Sequence, residues 1–300
     1  HDVTTMNIIR EEMDKIDPRI LLYGEGWDMG TGLMPEDKAK KDNAYQLPRI
    51  GFFNDTQRDA IKGAEVYGGL KAGYVSGQAT EDIIAKAILG SSELGSYLTP
   101  TQVLNYVEAH DNFNLHDLLV DLHPDDDEVI RTKRIELATA MNLLMQGMAF
   151  MELGQEFSRT KLVGTGEEGQ VLRSDRDRAM NSYNAPDAVN QVNWEWISQH
   201  QESIDYIKQI MHLKTSQKEF SYQTYEEIYK HVFVREAFAG SGIVIFEIKD
   251  EKHYEIIFNA SGLPYYLENA DHLRLLVGNS RHKRPFYVEN LTASVFEVIR

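Results

Sequence analysis

The stretch ILLYGEGWD, residues 20–28, decides the fold. Ile20, Leu21, Leu22 and Tyr23 are apolar without alternation, the pattern of a short parallel strand covered on both faces. Gly24 and Gly26 let the backbone turn sharply and let another group come close. Glu25, between them, then stands at the carboxyl end of a buried strand, where α/β barrels place catalytic groups. A solvated loop carboxylate would look the same in isolation, so the surroundings have to decide.

Outward from this strand the chain alternates helix and strand. Residues 3–16 carry Val3, Met6, Ile9, Met13 and Ile16 at helical spacing, and Asp17-Pro18 ends that helix. Residues 49–53 (RIGFF) suit a second strand ending at Asn54-Asp55, and 81–89 a short helix closed by Gly90. Residues 103–107 (VLNYV) form a third strand, running into Glu108-Ala109-His110-Asp111-Asn112. A long helix follows, with Pro124 and the acidic run Asp125–Glu128 at its start, where its dipole favours negative charge, and Gly147 beyond its end. Residues 148–153 (MAFMEL) make a fourth strand and 201–214 another helix. From about 221 the period changes from 3.6 to 2, with short strands over 229–235, 242–248, 253–258, 272–277 and 294–299. The expectation is an α/β region over 1–220, with four strands, half of a (β/α)8 barrel, and a small antiparallel β domain over 221–300. Half a barrel leaves an exposed parallel edge.

Composition narrows the function. The chain has 300 residues and a formal net charge of −16, which argues against nucleic acid or an anionic membrane as partner. There is no cysteine, which excludes disulfides, thiolate nucleophiles and cysteine zinc sites. No stretch approaches 18 consecutive apolar residues, so no membrane-spanning helix is expected. The first residue, His1, falls at what reads as the start of a helix with no signal sequence before it, so a fragment is expected. Gly164–Gly169 matches G-x-G-x-x-G but does not open a helix directly after a strand, and its two glutamates would repel a pyrophosphate. His110, His116 and His123 lack the spacing of a zinc site.

Asp111 follows the strand two after the one carrying Glu25, so in a barrel both would face one pocket. Two carboxylates with Trp27, Tyr106, His110 and Asn112 around them suit sugar chemistry: an acid protonates a glycosidic oxygen, an anion steadies the oxocarbenium ion, aromatic faces stack on rings.

YGEGWD (23–28) and YVEAHDNFNLHD (106–117) resemble two signature regions of the α-amylase superfamily in the form found in type I pullulanases. GQEFSRTK (154–161) and NSYNAPDAVNQVNW (181–194) resemble the eighth barrel strand and following loop of the same enzymes, and VENLTASVFEV (288–298) the end of their C-terminal β-sandwich. The resemblance implies the second half of the catalytic barrel followed by that sandwich. It implies Glu25 as general acid/base, Asp111 as transition-state stabiliser, His110 as a bond to the sugar ring, and Trp27 as a stacking residue on the acceptor side. Asn112, Asn181, Tyr183 and Asp187 would shape the substrate subsites. The family's nucleophilic aspartate would lie just upstream of His1, so these residues alone are expected to be inactive. Glu25 is expected to be raised in pKa by burial or a neighbouring carboxylate. The implied activity is retaining hydrolysis of α-1,6 links in pullulan, starch or glycogen. Isoamylase-type debranching, glucan branching, and a non-catalytic glucan-binding protein are the alternatives. The implied partners are an α-glucan and the N-terminal half of the same enzyme. No cofactor is required, a structural calcium is compatible, and an extracellular or bacterial cell-surface location is expected, with the cytoplasm as alternative.

Overall fold

The computed structural model describes residues 1–66, 69–268, 270–278 and 286–299. Helix α1 (Val3–Ile16) is capped by Asp2, whose side chain accepts from Thr5 N at 2.8 Å. There follow β1 (Leu22–Gly24), β2 (Ile50–Phe53), α2 (Asp55–Ile61), the hairpin β3 (Gly63–Val66) and β4 (Gly69–Ala72), and α3 (Glu81–Ile88). Then come β5 (Val103–Asn105), α4 (Leu115–Leu122), α5 (Glu128–Leu144), β6 (Met148–Ala149), α6 (Arg173–Met180), α7 (Asp187–Asn190), α8 (Gln201–Ser216) and α9 (Tyr225–His231). The rest is β: β7 (Val232–Glu236), β8 (Ile243–Lys249), β9 (His253–Asn259), β10 (Tyr265–Tyr266), β11 (Leu273–Gly278), β12 (Tyr287–Val288) and β13 (Thr292–Val298).

Two sheets organise these elements. β1, β2, β5 and β6 lie side by side in that order, every neighbouring pair parallel, with Leu22 opposite Ile50 and Phe52 opposite Val103. β11-β13-β9-β8-β7 form an antiparallel sheet whose faces alternate as period 2 requires. Val244, Phe246, Ile256, Phe258 and Val295 face inward, into one continuous apolar core with Ile84, Leu119, Met141 and Ile207 of the helices. Ile243, Ile245, Ile257 and Phe296 face the other way, against Val288 and Tyr265 of the β10–β12 ribbon, which forms a second layer.

Polar bonds fasten the two regions. Tyr74 Oη donates to the carbonyls of Gly242 (2.7 Å) and Phe258 (3.0 Å), and Tyr206 Oη to that of Ala293 (2.9 Å). Glu81 accepts from the amides of Gly240 and Gly242 at 3.1 and 2.8 Å.

The expectations need three corrections. β1 is not covered on both faces: Tyr23, and Leu21 just before the strand, are exposed, because the face they share with Leu104, Met148 and Phe150 lines an open cavity. The strand placed at 229–235 begins at Val232; before it α9 ends, started by a capping box in which Thr224 and Glu227 bond each other's backbone amides. The fourth parallel strand is two residues long rather than six. Among the described residues no helix is long and apolar enough to cross a membrane.

Candidate active site

Because β1, β2 and β5 are parallel neighbours, their carboxyl ends share one edge of the sheet. Glu25 leaves that edge one residue after β1, and His110-Asp111 lie on the segment after β5. One strand separates them, so the strand ends are two interstrand spacings, about 10 Å, apart. Beneath the edge runs an aromatic row: Phe53 meets Tyr23, Tyr106 and Phe150 edge-on at centroid distances of 6.0, 4.9 and 5.3 Å.

The glycine after Glu25 has a specific task. Gly26 adopts φ +67, and a Cβ there would stand 2.4 Å from the Phe52 ring and 2.8 Å from Cγ of Lys41. The space is filled by Lys41 itself. Its amide donates to Gly26 O at 2.9 Å, and its Nζ lies 4.0 Å from the centre of the Trp27 ring while pairing with Asp55. Nothing in the structure explains why residue 24 is also glycine; its surroundings are open. A second pair of bonds holds the same turn, from Lys38 and Lys40 to Asp28 at 2.5 and 3.0 Å.

Asp55 carries the network across β2. It accepts from Tyr106 Oη at 2.6 Å, and Arg58 Nη1 donates to the same phenol oxygen at 2.6 Å. Burial pushes the Tyr106 phenol up to about 12, with the Asp59 and Asp111 charges adding and Arg58 opposing. Burial, helped by Arg58, draws the Lys41 ammonium down to about 8, while Asp42, Asp59 and Glu25 oppose the fall. Lys41, Asp55, Tyr106 and Arg58 thus form one polar network beneath the loops that carry Glu25 and Asp111.

On the β5 side, His110 Nε2 approaches Asp111 Oδ1 at 3.4 Å, and both side chains are exposed. Asn112 takes φ +66, a left-handed conformation. Behind the loop Glu108 is buried; its Oε2 accepts from Leu115 N at 2.7 Å and Oε1 has no partner. Burial, with Glu152 and Asp117 adding, lifts its carboxyl to about 8.

Asn181 is brought to this loop by a backbone bridge to Asp111. Tyr183 and Asp187 are exposed on the segment that follows, which Asn190 ties down by donating to Ser182 O at 2.7 Å. The burial expected around Glu25 is not found: the residue is exposed, on the loop one residue beyond β1. Residues 164–169 form a loop with one 3₁₀ turn, separated from the nearest helix, α6, by Gln170–Leu172. Among the described residues no group of three or more His, Asp or Glu is arranged to hold a metal ion. Lys41, Asp55 and Arg58 were missed in the sequence. Asp55 had a usable signal, since it follows a parallel strand as Glu25 does; Lys41 had none.

No family model matches the chain. It is 35% identical to pullulanase of Bacillus subtilis (strain 168) over 237 residues, 77% of this chain and 31% of that protein. Identity with pullulanase 1, chloroplastic, of Arabidopsis thaliana is 30% over 241 residues, 63% of this chain. The crystal structure of pullulanase from Anoxybacillus sp. LM18-11 complexed with maltotetraose superposes with a TM-score of 0.86 at 31% identity, covering 99% of this chain and 42% of that one. Apo pullulanase from Paenibacillus barengoltzii gives 0.81 at 32% identity, covering 46% of that chain. The chain therefore spans less than half the length of these relatives.

Proposed function

Since this chain is a homologue of the pullulanases over part of their length, we propose that it supplies the proton donor of an α-glucan debranching glycoside hydrolase. The bond cleaved is the α-1,6 link of pullulan, starch or glycogen. The observation carrying this reading is the common edge from which Glu25 and Asp111 leave one parallel sheet, with Trp27 exposed beside them.

In the proposed reaction Glu25 donates its proton to the glycosidic oxygen as the bond to the anomeric carbon breaks. Asp111 stays ionised against the developing positive charge, and His110 bonds a ring hydroxyl. Trp27 stacks on the acceptor sugar with the face that Lys41 leaves free, and Asn112, Asn181, Tyr183 and Asp187 line the donor side. In a retaining double displacement the attacking carboxylate lies outside these 300 residues, on a neighbouring strand of an eight-stranded barrel of which β1, β2, β5 and β6 are four. Glu25 then deprotonates the water that releases the glycosyl group.

The test is Glu25→Gln in the natural full chain that carries these residues. The amide keeps the shape and cannot deliver a proton, so turnover of pullulan falls at least about 10²-fold while maltotetraose binding persists. Wild-type turnover in the variant removes Glu25 from the acid role. The 300 residues alone release no reducing sugar from pullulan; release by them places the nucleophile inside this chain. One observation, the exposure of Glu25, favours a second reading, glucan binding without turnover, which a full chain that binds maltotetraose and never cleaves pullulan would support.

A further inference from the structure

The loop presenting His110 and Asp111 is held from behind by a side chain that the motifs leave without a role. Lys161 is buried, and its Nζ donates to His110 O at 2.9 Å and to Asn112 O at 2.7 Å. Those two carbonyls bracket Asp111. The lysine is itself fixed: its amide donates to Asp117 Oδ2 at 2.8 Å, and the Thr160 hydroxyl donates to the other carboxylate oxygen. Asp117 belongs to α4, so the segment after β6 is buckled to the helix that follows the Asp111 loop. A second buried lysine closes the far side, where Lys62 Nζ donates to Phe113 O at 2.5 Å and Glu65 accepts from Phe113 N at 2.9 Å.

This is more than loop closure requires. Burying an ammonium is costly, and burial lowers the pKa of Lys161 against the pull of Glu152 and Asp117. A neutral amide would satisfy the same two carbonyls. Asn112, which supplies the second carbonyl, is at φ +66, a left-handed conformation that asparagine tolerates.

We propose that Lys161 is a positioning residue for Asp111: by gripping the carbonyls on either side it sets the direction of the Asp111 carboxylate. The proposal rests on the debranching reading above, and the test separates the two. In the natural full chain, pullulan hydrolysis is measured for Lys161→Met, Asp111→Asn and the double variant. Lys161→Met lowers kcat roughly 10- to 10²-fold with KM changed less than about threefold, the size of effect a displacement near 1 Å produces. Lys161→Arg, which can still donate to both carbonyls, recovers at least about threefold of that loss. The double variant turns over no more slowly than Asp111→Asn, because the lysine has nothing left to position. Losses that multiply overturn the proposal, since a general loss of folded protein or a separate role would act in both backgrounds. If Lys161→Met does not accumulate, Lys161→Leu, which also lacks a donor for the two carbonyls, goes through the same cycle: it must first lower kcat with Asp111 intact, and it overturns the proposal if it does not or if its loss multiplies with that of Asp111→Asn. An Asp111→Asn variant with wild-type turnover sinks the debranching reading instead.

Discussion

The two sheets reach order by different routes. β8, β9 and β13 run seven residues each, pair along their whole length, and bury side chains on both faces. The parallel strands run two to four residues and depend on side chains that reach for backbone. Gln102 Nε2 donates to the carbonyls of Ala44 and Leu47 at 2.9 and 2.8 Å, and Asn105 Nδ2 to that of Gln146 at 2.8 Å. Lys214 Nζ gathers three carbonyls, those of Met145, Gly147 and Phe220, at 2.7, 2.9 and 2.8 Å. Short strands end early, which frees their carboxyl ends to become loops that carry chemistry; buried polar groups then supply the order that longer ladders would have given. The antiparallel sheet should therefore be sensitive to lost volume and the parallel one to lost hydrogen bonds.

The largest expected effect is in the antiparallel sheet. Phe258 is fully buried, with its ring 5.6 Å from that of Phe246, so Phe258→Ala destabilises by about 3–5 kcal/mol. A urea midpoint implying less than about 1 kcal/mol would break the contrast. Lys214→Met comes next: methionine fills the space and removes the donor from three carbonyls, and because the site is half-buried and water reaches part of it the cost is about 1–3 kcal/mol in all. It also has a pH signature. Burial draws the Lys214 ammonium down to about 7 from its ordinary 10.5. Between those values the unfolded chain holds a proton that the folded chain has released, so this lysine makes stability rise with pH. The stability gap between wild type and Lys214→Met should widen from pH 7 to 9; a gap that stays constant or narrows would mean the ammonium is not desolvated.

Gly26→Ala is smaller. Its φ of +67 costs an alanine about 1–2 kcal/mol, and Lys41 must leave the space it fills beside Trp27. A thermal midpoint equal to wild type would show that the loop relaxes freely and that the Lys41 contact is incidental. Last is Lys218→Ala, which removes an exposed ion pair with Glu251 at 2.7 Å and a longer one with Asp250 at 3.4 Å. No measurable change in the urea midpoint is expected there; a clear loss would show that surface charge, not only interior packing, supports this side of the molecule.

What could be read from the sequence divides along the same line. Strands with alternating residues were placed to within about two positions at 242–248, 253–258, 272–277 and 294–299, because period 2 against a core is a local signal. α9 was overlooked although Thr224 and Glu227 have capping-box spacing, since apolar residues on both sides of it suggested a strand. The hairpin β3–β4 was also missed; its residues alternate weakly and its glycines resemble a loop. Glu25 and Asp111 could be proposed as site residues because each follows an apolar run. Lys41, Lys62 and Lys161 were not, because a buried lysine looks like a surface one until the carbonyls it serves are assembled from elsewhere in the chain.

The bonds from Tyr74, Glu81 and Tyr206 into the antiparallel sheet bear on how such a chain is cut and recombined. A boundary drawn at 220/221 looks like a natural seam between modules, yet the apolar core runs across it without a gap. Residues 221–300 are therefore not a cassette. A chimera that swaps in another protein's β domain must bring replacements for the partners of these three side chains or leave a buried carboxylate facing no amide. A protease probing the folded chain should likewise find, among the described residues, surface loops to nick and no linker near 220 at which to separate two products.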